Sequence, residues 1–375
     1  MKVKAIALLL ALAILFSGCI QEQPAQGEET IKIGAILPMT GTVAYLGQFE
    51  SEGISLAMEK VNEEGINGKK LEIAYEDTGG DTKQGVSAYQ KLTQVEGINV
   101  LLTTESGTTL AIAPLAEEDK AIVFSVAGAS SKISDAGDFI FRHNLLPDKE
   151  AEYLADVMFN DFGHSKIGMI VVNSDSGETY ASNLKKAFEE KGGEVVIIEK
   201  YEKGAKDYQT QLTKVKAAEP DAVFLFGHAQ ETGLLLKQAE ELGINIPWFG
   251  SFAAEEDSLI ENAGDSANGL IYTNFFDANS KDPVFRAFAE KYQQRYGYAP
   301  GSFAALAYDN VMILAQVLKE CGSPYDTVCI KDKLYKIKDF SGVTGAITFN
   351  ENGDTEKEIM LKTVKNGEFV LYEGD

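Results

Sequence analysis

From Ile31 onward the chain alternates short apolar runs with longer, periodic segments. IKIGAILP (Ile31–Pro38), LEIAYED (Leu71–Asp77), NVLLTTE (Asn99–Glu105), AIVFSV (Ala121–Val126) and FIFR read as strands. Between them, FESEGISLAMEKVNEEG places Phe49, Gly53, Ala57 and Val61 on one helical face, and QGVSAYQKLTQ and TTLAIAPLAEED continue the helical rhythm. Short runs bounded by turn residues, separated by longer periodic stretches, are the pattern of βαβ units on a mostly parallel sheet.

A second series begins near Pro147. Its strands are KIGMIVV (Lys166–Val172), EVVIIEKY, AVFLFG (Ala222–Gly227), PWFG and GLIYTN (Gly269–Asn274). Its helices include SNLKKAFEEKGG, closed by Gly192 and Gly193, and ETGLLLKQAEELG, closed by Gly243, where glycine suits the left-handed turn that ends a helix. A further helix, SFAALAYDNVMILAQVLKE, follows Gly301 and is apolar almost all round, which predicts deep packing. The length exceeds what one core usually holds, so two α/β lobes are expected.

The first residues follow a different rule. Lys2 and Lys4 precede an apolar run, Ala5 to Phe16, and Ser17 and Gly18 lead into Cys19. This is the layout of a secretory signal, and the run is shorter than the ~20 residues of a membrane-spanning helix. FSGC resembles the lipobox of prokaryotic lipoproteins, with Phe16 where that motif usually has leucine. The resemblance implies a signal peptide over residues 1–18, a lipidated Cys19 and a polar tether over 19–29. The protein is then exported and held at the outer face of the cell membrane by its N-terminal lipid.

Charge narrows the partners. Lys and Arg number 34 against 57 Asp and Glu, a formal net charge of −23. Removing residues 1–18 takes away two further lysines. Nucleic acid needs a basic face, so it is not an expected partner. Cys321 and Cys329, in CGSPYDTVC, can close a short disulfide in an oxidising compartment, or stand as two core thiols. His143, His164 and His228 are the only histidines, none has a ligand-like neighbour pattern, and no metal site is expected.

In open α/β sheets, ligands bind beyond the carboxyl ends of the strands. Three loops there are rich in small and hydroxyl residues: TTESGTT (Thr103–Thr109), VAGASS (Val126–Ser131) and NSDSGE (Asn173–Glu178). Free amides at helix N-termini favour an anion such as a carboxylate, and the same residues also serve simply as caps. The chain carries no Walker-type phosphate loop, no dinucleotide fingerprint, no zinc-protease pair and no nucleophile elbow. An enzyme is not expected.

IKIGAILPMTGTVAYLGQ, GISLAMEKVNEEGINGKKLEIAYEDTGGD, TTESGTTLAIAPLAEEDKAIVFSVAGAS, FRHNLLPDKEA and PDAVFLFGHAQETGLLLKQAEELG, in this order and spacing, resemble the branched-chain amino acid (leucine/isoleucine/valine) binding proteins of ABC importers. The resemblance implies a periplasmic-binding protein type I fold: two doubly wound lobes joined by three crossover segments. One lobe would combine residues 30–143 with 275–346, the other 147–272 with 350–375. The crossovers would lie near Arg142–Pro147, Tyr272–Phe275 and Ile347–Asn352. It also implies no cofactor, and partnership with ABC permease and ATPase subunits.

Carried over residue by residue, the hydroxyl that holds the ligand carboxylate falls on Ser106. The backbone groups of the next loop fall on Ala127 and Ala129, and Ala129 stands where many relatives have a threonine that helps hold the ligand amine. Two aromatic positions of the second lobe fall on Ser176 and His228. The acidic partner of the ligand ammonium falls on Phe252, in WFGSFAAEED. If Glu255 or Glu256 reaches the cleft, the ligand is an amino acid with an apolar side chain. If Phe252 fills that corner, with Phe303 and Leu46 as walls, the ligand is a carboxylate without an ammonium, such as an aromatic or oxo acid, or a small amide. The same fold also serves as a ligand-sensing receptor module, where it continues into a transmembrane helix that is not expected here.

Overall fold

The computed structural model describes residues 30–374. The expected signal peptide, Cys19 and the tether lie outside the described residues.

Five strands form the first sheet: β1 (Thr30–Leu37), β2 (Lys70–Asp77), β3 (Val100–Thr103), β4 (Ile122–Ser125) and β5 (Ile140–Arg142). They are parallel, in the order β2-β1-β3-β4-β5. The second sheet contains β6 (Lys166–Val172), β7 (Glu194–Tyr201), β8 (Ala222–Phe226), β9 (Trp248–Gly250) and β10 (Ile271–Asn274). These are parallel in the order β10-β9-β8-β6-β7. After a small hairpin of β11 (Phe340–Gly342) and β12 (Gly345–Ile347), β13 (Met360–Lys365) and β14 (Glu368–Leu371) extend the second sheet antiparallel beyond β10. The central strands β3, β4 and β8 are buried along their whole length, because helices cover both faces. The edge strands β2 and β7 mix buried and exposed positions, since one flank of each has no neighbouring strand.

Each sheet has its own apolar core. The all-round apolar helix Ser302–Cys321 is buried along most of its length and lies against the helix Ala44–Glu64. Gly53 makes this approach possible, since a Cβ there would run into the carbonyl oxygen of Ala304. Cys321, at the end of the long helix, is joined to Cys329 by a disulfide.

The chain passes between the cores three times. The first passage leaves β5 and ends where Pro147 opens the helix Pro147–Asp156, proline having no amide to lose at a helix start. The second leaves β10, after which Phe275 and Phe276 join the first core. The third falls between Ile359, packed on the first core, and Leu361, packed on the second. This is later than the Ile347–Asn352 expected from sequence, because Asp354 bridges Arg142 alongside β5. Arg142 Nε donates to Asp354 Oδ1 at 2.7 Å, with both side chains almost completely buried. The rest of the guanidinium donates to Ser130 O and Ser134 Oγ, both at 2.8 Å.

Candidate ligand-binding cleft

A cavity of about 280 Å³ lies between the two sheets, at the carboxyl ends of their strands. Thr104–Thr108 after β3 and Ala127 and Ala129 after β4 form one side. Asn173–Ser176 after β6, Lys203 after β7, His228 after β8, and Phe252 and Ala253 after β9 form the other. Leu46 and Phe303 complete the wall from two helices. All eight residues singled out from sequence, Leu46, Ser106, Ala127, Ala129, Ser176, His228, Phe252 and Phe303, line this one cavity.

Ser106 is the first residue of the helix Ser106–Asp119. Its Oγ accepts from the Ala129 amide at 2.9 Å and lies 3.0 Å from Ser176 Oγ on the opposite side. The turn that carries Ala127 and Ala129 is pinned by Ser125 Oγ, which accepts from the Gly128 amide at 3.1 Å. It leads into a short 3-10 turn, Ser131–Asp135. Across the cleft, Ser174 caps the helix Asp175–Glu190 by accepting from the Gly177 amide at 3.1 Å. Gly177 packs against the end of β6, where a Cβ would strike Val172 O. Hydroxyls and amides converge here, and together they suit a carboxylate.

The two acidic side chains of the wall are both paired across the cleft. Glu105 accepts from Lys203 Nζ at 2.5 Å, and Asp175 from Lys132 Nζ at 2.7 Å. Lys203 has one signal in the sequence, its place just after β7, at the end of the sheet where the other loops gather.

The corner where an ammonium partner was sought is aromatic. Phe252 is almost fully buried, edge-on to Phe275 at 5.5 Å and tilted against Phe303 at 6.2 Å between ring centroids. Glu255 does not reach the cleft. Its carboxylate takes hydrogen bonds from Tyr272 Oη and Asn274 Nδ2, each at 2.7 Å, and from Lys362 Nζ. Glu256 lies outside the wall, with Oε1 buried and unbonded. Burial first, then Glu255 and Asp257, push its carboxyl up to about 8. His228 stands edge-on to Tyr45, with centroids 5.9 Å apart. Burial and then Lys203 push its imidazole down to about 4, so the ring is neutral near pH 7.

Two sheets, three chain crossings and a cleft between them define a two-lobed α/β fold with its candidate site between the lobes. Residues 30–368 match the family model described as periplasmic binding protein, and the chain belongs to that family. It is similar to the leucine-, isoleucine-, valine-, threonine- and alanine-binding protein of Pseudomonas aeruginosa, 26% identical over 348 residues, covering 92% of this chain and 90% of the relative. A leucine-binding protein of Thermotoga maritima superposes with a TM-score of 0.86 at 27% identity, covering 92% and 98% of the two chains. A solute-binding protein of Rhodopseudomonas palustris BisB5, solved in complex with 3,4-dihydroxybenzoic acid, superposes at 0.82 with 26% identity and 91% and 95% coverage. Members of this family are solute-binding proteins of ABC transporters rather than enzymes.

Proposed function

We propose that this protein captures a small solute bearing one carboxylate and an apolar body, encloses it between its lobes, and presents it to an ABC permease and its ATPase. The lobes, residues 30–143 with 275–359 and 147–272 with 361–375, would close about the three crossings as rigid bodies. Ligand binding is then coupled to closure by greater affinity for the closed form. The hydroxyls of Ser106 and Ser176 and the amides around Ala127 and Ala129 would hold the carboxylate. Leu46, His228, Phe252 and Phe303 would enclose the body. Cys19 would carry the lipid that keeps the protein at the outer face of the membrane, with residues 20–29 as slack.

The observation that carries the ligand class is the Phe252 corner. Neither acidic side chain in the wall is free, and a buried ammonium without a counter-charge costs several kcal/mol. A carboxylate with no ammonium, such as an aromatic acid, suits these walls best. The second reading is an apolar amino acid, in keeping with the names of the relatives. Its specific support is the buried, unbonded Glu256 Oε1, the acceptor an ammonium reaching it would use while drawing the carboxyl into its charged form. Calorimetry with benzoate, 3,4-dihydroxybenzoate, L-leucine and L-valine separates the readings. Tight binding of the benzoates with the amino acids silent supports the first, and the reverse supports the second.

A further inference from the structure

Glu150 is completely buried, forms no ion pair among the described residues, and does not line the cavity. It lies one turn into the helix that follows the first crossing. Its carboxyl accepts from Tyr180 Oη and from Thr273 Oγ1, and the Phe252 amide lies close enough to lower its pKa. Burial pushes this group up to about 7, although all three neighbours pull the other way.

Each neighbour leads elsewhere. Tyr180 lies on the helix that opens at Ser174–Ser176, and its ring stacks on Phe226 with centroids 3.9 Å apart. Phe226 lines the cavity, as does Phe252. Thr273 sits on β10, at the start of the second crossing. One carboxyl thus ties two cavity walls to the elements that flank two crossings. A buried carboxyl is a costly group to keep for packing alone.

We infer that Glu150 is a positioning residue of the cleft: without touching the solute, it fixes Phe252, and through Tyr180 fixes Phe226, so that the second lobe presents one rigid wall. The inference rests on the reading of the cavity as the solute site. It adds that selectivity at the Phe252 corner is set from behind.

The test compares Glu150→Ala in the natural and Phe252→Ala backgrounds, with benzoate and L-leucine as probes in calorimetry. Glu150→Ala is expected to weaken the preferred probe by about tenfold or more, and to change affinity little once Phe252 is already alanine. Equal losses in both backgrounds would overturn the inference. Hydrogen exchange of the ligand-free protein needs no solute: the Phe252 amide should lose protection by about tenfold or more in Glu150→Ala, because the carboxyl beside it is gone. Unchanged protection would also overturn it. If Glu150→Ala fails to fold, Thr273→Val removes one donor only and should leave the carboxyl free to hold Phe252, so protection there is retained; Tyr180→Phe should loosen Phe226 while Phe252 keeps its protection. The opposite pattern contradicts the arrangement. If Ser106→Ala and Phe252→Ala leave binding untouched, the cavity reading itself fails. If they weaken it while Glu150→Ala does not, only the role of Glu150 fails.

Discussion

Replacing Ser106 with alanine tests the carboxylate end of the cleft. The Ser106 hydroxyl accepts from the Ala129 amide at 2.9 Å and meets Ser176 Oγ at 3.0 Å. A solute carboxylate between the lobes would take the place of Ser176 as the group to which Ser106 donates. A hydrogen bond to a charged group contributes ~1.5–3 kcal/mol. The substitution also frees the Ala129 amide, which can turn to the carboxylate and offset part of the loss. A net cost of ~1–2 kcal/mol follows, or an affinity lower by about five- to thirtyfold, since ~1.4 kcal/mol is a factor of ten. Calorimetry with the best-bound carboxylate measures it, with the melting temperature of the ligand-free variant as a check on folding. Unchanged affinity in a folded variant would refute the placement of the carboxylate.

Three further outcomes follow from the same geometry. Asp354→Asn should destabilise the protein by ~3–5 kcal/mol in urea unfolding, because it leaves the buried Arg142 guanidinium without its counter-charge; a shift below ~1 kcal/mol would contradict the role of that pair. Lys203→Met should weaken solute binding by about two- to fivefold and reduce its sensitivity to salt, since a partly exposed ion pair contributes up to ~1 kcal/mol; titrations at low and high sodium chloride check this, and equal salt dependence would count against a bridge that matters for closure. Glu256 is held up to about 8 in the folded state, so the folded protein binds more protons than the unfolded chain between its ordinary range and about 8, and stability is lost as pH rises through that window. Glu256→Gln removes this loss, so its urea midpoint should gain on the natural protein between about pH 5 and 8; a constant difference would exclude the buried carboxyl as the cause.

The strands of both parallel sheets were legible because burial on two faces demands short apolar runs, as in β3, β4 and β8. β13 and β14 were not recognised, for their half-buried faces leave MLKTVK and EFVL with no run long enough to stand out. The three hydroxyl-rich loops met at one cavity because their places at the ends of strands are set by local pattern. Pairings between residues far apart in sequence were invisible: Glu105 with Lys203 across the cleft, and Glu150 with Tyr180 and Thr273 inside the second lobe. The Arg142–Asp354 bridge escaped notice for the same reason, and with it the position of the third crossing. At Phe252 the sequence left open whether a nearby glutamate takes over, and only the fold separates Glu255, bound to Lys362, from Glu256, buried and unbonded.

The most direct measurement is mass spectrometry of the small molecules released when freshly purified protein is denatured. A stoichiometric carboxylate with an apolar body, absent from Ser106→Ala purified in parallel, is the expected result. Release of a stoichiometric cation, sugar or other solute without a carboxylate would contradict the proposed function.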